Sequence, residues 1–266
     1  MLKRDNDKGV IEMNAKETLG QSVNLSKTHY QLFVPAIVAA LIAGLITLLG
    51  GIVSGAQTVE IDAAAGPAAI LGSFFAGQSL WVNMVFGALS SIVLLLGHGA
   101  TLAIAHQLAD GNQPSFRDAI DQIRGRFVAL IIAAAIVGII VGIGTTLLIL
   151  PGLIAAYVLM FTFVAVVAGG LEPLPALKRS YTVVTGNFIE TGILFLLLLA
   201  IGVVFAIVSS ILNLIPAVGG LISLILGGIY AGLSSMILLL GYRSFEALPT
   251  AGGSQPAEDA AGQTGE

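Results

Sequence analysis

Two short constellations in this sequence hold side chains of the kinds that do chemistry. Asp118 and Asp121 stand three apart in "RDAIDQIRGR", a spacing that can hold Mg²⁺ against a phosphate in lipid-processing enzymes. Arg117, Arg124 and Arg126 flank the pair and compete for its carboxylates. A solvated helix face with helical-spacing ion pairs, such as Arg117 to Asp121, accounts for the pattern better. The second constellation centres on His98 in "LLLGHGATLAIAH". An ionisable group inside an apolar stretch faces a packed interior or a wet cavity. Thr101 lies on nearly the same helical face, His106 closes the same end, and Glu190 enters the start of a later apolar stretch. If those stretches touch, the four residues make a polar patch at one mouth of a path through the protein. The alternative is a neutral His98 bonded to a backbone carbonyl, with Glu190 reaching out to headgroups. The chain has no cysteine, which excludes disulfides, thiolate nucleophiles and Cys-type metal sites. It also has no HExxH, GxSxG, Walker or dinucleotide-loop pattern. No catalytic residue, metal ligand or cofactor is assigned.

The elements that must position these residues follow from composition. Of 266 residues, 56% are hydrophobic and 10% charged, and the mean hydropathy is +0.98. Such a chain belongs to the membrane class. A net charge of -4, thinly spread, does not suit nucleic acid. About 20 apolar residues cross a hydrocarbon core roughly 30 Å thick, and six runs qualify: about 33–54, 82–105, 127–150, 152–170, 188–212 and 219–241. His98 then lies about 12 Å inside the end marked by His106, at about 1.5 Å per residue. Pro151 and Gly152 separate the third and fourth runs as a tight hairpin, and "NLIPAVGG" (213–220) does the same for the last two. The predicted class is an all-α polytopic helix bundle, with an N-terminal arm over 1–32, a membrane domain over 33–245 and a disordered tail over 246–266.

With six crossings, every Lys and Arg falls on one side, whereas 55–81 on the other side holds only Glu60 and Asp62. The positive-inside tendency then places both termini in the cytoplasm of a cell (inner) membrane. The polar first 32 residues have no apolar core of signal-peptide length, so the first span is expected to serve as the insertion signal. The segment 63–81, broken by Gly66, Pro67, Gly72 and Gly77, reads as an interfacial or re-entrant helix with Trp81 as an anchor.

The basic loops are themselves patterned. Phe116, Ile120, Ile123 and Phe127 share one helical face, as do Leu177, Tyr181, Val184 and Phe188. The two sets are offset by 61 residues, as are Pro114 and Pro175, Arg117 and Lys178, and Gly125 and Gly186. The unit is an amphipathic helix followed by a two-span hairpin. Val23, Tyr30 and Phe33 suggest a third copy at 19–33. Ser115 with Asp118 reads as an N-cap pair, and Pro175 suits a first turn. Each amphipathic helix is expected flat on the inner leaflet, with Arg117, Arg124, Arg126, Lys178 and Arg179 contacting lipid headgroups. GxxxG at Gly138/Gly142 and Gly228/Gly232 marks candidate close helix contacts.

The stretches "LPGLIAAY" (150–157) and "EPLPALKRSYTVVTGNF" (172–188) resemble the six-span membrane-domain family first named from glycerophosphoryl diester phosphodiesterases. The resemblance covers roughly 107–245 and rests on a Leu-Pro-Gly hairpin, then Pro, Ala-Leu, Lys/Arg, Arg-Ser-aromatic and Gly-x-Phe. Tyr181 stands where the family has tryptophan more often. The phosphodiesterase domain that some relatives carry has no counterpart, so the resemblance implies an architecture and no activity. The function expected from the sequence is a non-enzymatic scaffold or accessory module that engages membrane lipids, or a protein partner at the cytoplasmic face. A transporter or channel for a small solute or lipid, with His98 and Glu190 lining the path, is the second reading. A lipid-modifying enzyme using Asp118 and Asp121 is the third.

Overall fold

The computed structural model describes residues 7–54, 80–215 and 218–247. Helix α1 (Asp7–Thr28) leads through a 3-10 turn (Tyr30–Leu32) into α2 (Val34–Val53). There follow α3 (Leu80–Ala109), α4 (Phe116–Leu147), α5 (Ile149–Val158), α6 (Thr162–Val167), α7 (Pro173–Gly186), α8 (Phe188–Leu212) and α9 (Gly219–Ala247). No strand occurs among the described residues. Six helical stretches there are long and apolar enough to cross a membrane: Tyr30–Val53, Met84–Ala109, Phe116–Leu147, Ile149–Val167, Phe188–Leu212 and Gly219–Phe245. These reproduce the six expected runs. The segment 63–81 with Trp81 and the tail from 248 lie outside the described residues and side chains.

Burial concentrates at one end of the bundle, called here the basic end. There the second helices of the three hairpins meet: Leu102, Ile104 and Leu108 of α3, Val164, Val166 and Val167 of α6, and Met236, Leu239 and Phe245 of α9. Around them pack α1, the first turns of α4, and α7. Toward the opposite end, Ile139, Ile143 and Leu147 of α4 and Leu196, Val204 and Ile211 of α8 are exposed. Large contiguous apolar surface of this kind suits lipid.

The repeat is carried into three dimensions. Ala119, Ile123, Leu130 and Ala133 are the buried residues of α4, and all four residues 61 positions on, Ser180, Val184, Thr191 and Leu194, are buried as well. The third copy also holds. Ser22, Ser26 and Ala36 are buried and sit 97 positions before Ala119, Ile123 and Ala133. Its inward stripe on α1 is Thr18, Ser22 and Ser26, and the Ser22 hydroxyl donates to the Thr18 carbonyl at 2.7 Å. Small hydroxyl residues replace the apolar face, and Ser22 is satisfied by its own helix, which is why the pattern there reads weakly.

Three local expectations are corrected. The 114–127 segment is not a separate helix lying flat. It is the start of α4, a single 32-residue helix about 48 Å long at about 1.5 Å per residue. It runs antiparallel to the end of α3, where Gln107 Oε1 accepts from the Ser115 N–H at 2.7 Å. One helical glycine, Gly125, costs only about 1 kcal/mol and does not break a helix. In the second copy Asn187 does the breaking. It leaves helical geometry, and its amide donates to the carbonyls of Val183 at 3.1 Å and Phe245 at 3.4 Å. The equivalent residue in α4 is Arg126.

The hairpin between spans three and four turns at Leu148, whose extended backbone ends α4, and Pro151 falls in the first turn of α5. Proline is tolerated there because a first-turn N–H has no helical partner to lose. Gly152 lets the two helices touch: a Cβ on it would lie 2.6 Å from the Thr145 nitrogen. Span four is also not continuous. It breaks between Val158 and Thr162.

Of the two GxxxG pairs, one is a contact. A Cβ on Gly228 would lie 2.7 Å from Ile37 Cα, and one on Gly232 would strike the Phe33 ring. Gly138 and Gly142 have open space around them.

Candidate functional site

The structure does not bring His98, Thr101, His106 and Glu190 together. Helix α3 packs on α2, α4 and α9, whereas α8 packs on α9, α7 and α1. His98 is half-buried on α3, with Nδ1 3.5 Å from the Ser235 hydroxyl of α9 and its ring edge-on to Phe163 at 6.0 Å. It borders a cavity of about 530 Å³, whose lining includes Ile131, Ala134 and Ala135 of α4. Ser91 is the other polar residue in that lining. Thr101 is fully buried and spends its hydroxyl on the Gly97 carbonyl of its own helix at 2.8 Å. Glu190 sits in the first turn of α8, a favourable place for a carboxylate in the field of the helix N-terminus.

His106 belongs to a different cluster that the sequence did not suggest. The Arg243 guanidinium of α9 donates to His106 Nδ1 and pairs with Asp110 at 2.7 Å. A ring that accepts at Nδ1 is neutral and carries its proton on Nε2, which lies 3.7 Å from the Asp110 carboxylate. The hydrogen bond from Arg243 holds the Asp110 carboxyl below the ordinary carboxylate range. The cluster ties the end of span two to the end of span six. No signal in the sequence links residues 137 positions apart.

Buried hydroxyls do comparable work elsewhere. Ser180 of α7 is fully enclosed; its Oγ donates to the Val158 carbonyl at 2.8 Å and accepts from the Phe161 N–H at 3.2 Å. It bridges the break in span four. The Tyr157 phenol donates to the Phe188 carbonyl at 2.6 Å and lies 2.8 Å from the Thr191 hydroxyl. Its ring packs on Phe188 and Phe195. The Ser of the Arg-Ser-aromatic pattern and the Tyr of "LPGLIAAY" are thus joints between helices.

Asp118 and Asp121 are both exposed. Asp118 donates its backbone N–H to Ser115 Oγ at 3.4 Å, completing the expected N-cap. The expected Arg117 to Asp121 ion pair does not form: neither residue has an ion pair among the described residues. No three His, Asp or Glu side chains converge among the described residues.

The five basic residues differ in role. Arg117, Arg124 and Lys178 are exposed, and Arg126 and Arg179 are half-buried. Arg126 lies over Gly170, where a Cβ would meet its guanidinium at 2.7 Å. Gly170 has φ +71, so this turn favours glycine for its backbone as well as for space. Beside it Gln122 Nε2 donates to the Val167 carbonyl at 2.8 Å. Arg126 is therefore packed on the turn that ends span four. Arg179 is held by an interaction within the protein.

Arg124 has different surroundings. A cavity of about 670 Å³ opens between α2, α3 and α4, lined by residues such as Val38, Ile42, Leu96, Ile120 and Phe127, and among the described residues Arg124 is its one charged lining residue. All four residues of the first expected apolar face thus turn out to be groove wall, and Ile123 is buried core as well.

These elements define a multi-pass α-helical membrane protein built from a repeated unit of one helix and one hairpin. Compared with protein-family models, curated proteins and solved structures, the chain matches none.

Proposed function

We propose that this protein is a non-enzymatic module of the cell (inner) membrane, with both termini cytoplasmic, that engages anionic lipid through the helices at its basic end. One observation carries the reading: exposed apolar side chains sit beside exposed cations at that end. Leu174 and Tyr181 of α7 are exposed on the helical face that carries Lys178, Phe188 is exposed just past the break at Asn187, and Phe116 and Ile120 are exposed beside Arg117 and Arg124. Apolar area that enters a leaflet, next to charges that meet its headgroups, is the chemistry of interfacial helices. The charge bias of the loops supports the orientation. The stretch-by-stretch likeness to the six-span membrane-domain family supports the architecture, and membership of that family is part of the proposal.

The test is lipid enrichment around the protein reconstituted in mixed phosphatidylglycerol and phosphatidylcholine bilayers, read by mass spectrometry of the retained lipid shell. The wild type enriches the anionic lipid, and a triple Arg117→Gln, Arg124→Gln, Lys178→Gln variant loses most of that enrichment. An unchanged shell in the triple variant overturns the reading. Thiols placed singly at 117 and 178 label from the cytoplasmic side; labelling from the opposite side overturns the orientation.

A transport role is the second reading, favoured by the cavity beside His98. Its lining is aliphatic apart from Ser91, His98 and the Phe163 ring, which suits an apolar occupant better than a hydrated ion. Solute flux in liposomes that is unchanged by His98→Ala removes this reading.

A further inference from the structure

We infer that the groove between α2, α3 and α4 is a binding site for a single phospholipid with an anionic headgroup, the phosphate held by Arg124 and an acyl chain lying along the apolar wall. The inference rests on the lipid-engaging reading above and assigns one site to it. The dimensions suit the occupant. About 670 Å³ lies within the range of small-ligand sites. The α2 wall runs from Val34 to Ile42, about 12 Å at about 1.5 Å per residue, comparable with one leaflet of a hydrocarbon core about 30 Å thick. The wall is aliphatic and aromatic throughout, so it recognises a chain and no polar solute.

Charge complementarity selects the head. Arg124 lines the groove, is exposed, and has no ion pair among the described residues. The other arginines nearby differ: Arg126 is packed over Gly170 and Arg117 does not line the groove. A guanidinium meets a phosphate with two parallel N–H donors, which a lysine cannot do.

The repeat explains why the groove is open here. Sixty-one residues after the groove wall residues Leu96 and Phe127 stand Tyr157 and Phe188. There the Tyr157 ring packs against Phe188 at 5.5 Å and Phe195 at 5.3 Å, and its hydroxyl fastens to the Phe188 carbonyl. Where span four fills its joint with a phenol, span two has leucine at the equivalent position and leaves space.

The test uses native mass spectrometry of the full chain, extracted from bilayers of dioleoyl phosphatidylglycerol, or of dioleoyl phosphatidylcholine, into mild detergent. The wild type is expected to keep one phosphatidylglycerol per chain after general lipid is stripped, and not to keep phosphatidylcholine. Arg124→Gln should lower that retention about tenfold, the loss expected for a charge-assisted bond, with Arg124→Lys intermediate. Leu96→Tyr, which copies the second repeat, should abolish it. Lys178→Gln should reduce the general shell and leave the single lipid. Thermal unfolding of each variant shows that it is folded, and a misfolded Leu96→Tyr is replaced by Ile120→Trp, at an exposed wall position. Retention by Arg124→Gln equal to wild type, or equal retention of phosphatidylcholine, overturns the site. If Arg124→Gln and Lys178→Gln lose lipid equally, the basic end attracts anionic lipid generally: the proposed function stands and the groove falls. If the wild type enriches neither lipid, both fall.

Discussion

Replacing Ser180 with alanine isolates the joint in the middle of span four. The serine hydroxyl donates to Val158 at 2.8 Å and accepts from Phe161 at 3.2 Å, and both Ser180 and Phe161 are completely buried. Alanine removes one oxygen and leaves a carbonyl and an N–H enclosed without that partner. Each orphaned group costs about 1–3 kcal/mol, so the expected loss is about 2–4 kcal/mol, allowing for some relaxation. The control is Thr182→Ala, two residues on. That hydroxyl is exposed and donates only to the carbonyl of Lys178 in its own helix at 2.9 Å, so its removal should stay within about 0.5 kcal/mol. Stability is read from unfolding in mixed micelles titrated with SDS, followed by circular dichroism. Amide exchange at Phe161 supplies a local readout and should accelerate only in Ser180→Ala. If Ser180→Ala is within about 0.5 kcal/mol of wild type, or no worse than Thr182→Ala, the account of the broken span is wrong.

Gly228→Ala should cost about 1–3 kcal/mol, because its Cβ would lie 2.7 Å from Ile37 Cα and force spans one and six apart. Gly138→Ala meets nothing within 4 Å and should be neutral or stabilising by up to about 1 kcal/mol; thermal unfolding of the two variants side by side checks the contrast. Asp110→Asn breaks the pair with Arg243, and because the carboxylate is 40% exposed the cost should be about 1 kcal/mol or less. The folded-state pKa is lowered, so the pair's contribution is present above about pH 4 and fades as acid titrates the folded carboxylate. Stability curves of wild type and Asp110→Asn should therefore run parallel between about pH 5 and pH 8 and converge below about pH 4. Divergence on acidification contradicts the pairing.

What the sequence revealed divides along a physical line. Apolar runs fix which segments cross a membrane, and the six spans were legible because hydrocarbon enforces length and composition locally. The two well-patterned copies of the repeat were legible because their apolar residues recur at helical spacing, although of those eight only Ile123 and Val184 turn inward. The joints were not. Leu148 ends α4 where Pro151 was expected to, and span four breaks at a hydroxyl supplied by Ser180 from another helix. The candidate polar patch failed for the same reason: His98, His106 and Glu190 were assigned to one end of the bundle, but sharing an end says nothing about which helices touch. Likewise the two GxxxG pairs look alike on paper, and one faces Ile37 and Phe33 while the other faces open space.

The repeat register links the broken span to the continuous one. Gly97 and Thr101 of span two and Ala119 of α4 correspond, 61 positions on, to Val158 and Thr162 of span four and Ser180 of α7. In span two the Gly97 carbonyl accepts from the Thr101 hydroxyl and α3 runs through unbroken. In span four the helix stops at Val158, whose carbonyl accepts from Ser180 instead, and the Thr162 hydroxyl is left buried without a partner among the described residues. A break needs an outside donor for the carbonyl it frees, and an intact helix leaves a facing hydroxyl no such role. Ser at 180 and Ala at 119 accord with which of the two spans carries the break. The same divergence sets Tyr157 against Leu96, closing one joint with an aromatic ring and leaving its counterpart open beside Arg124. Copies of one unit share a buried frame, and the positions where they part are where a distinct role for one copy can be built.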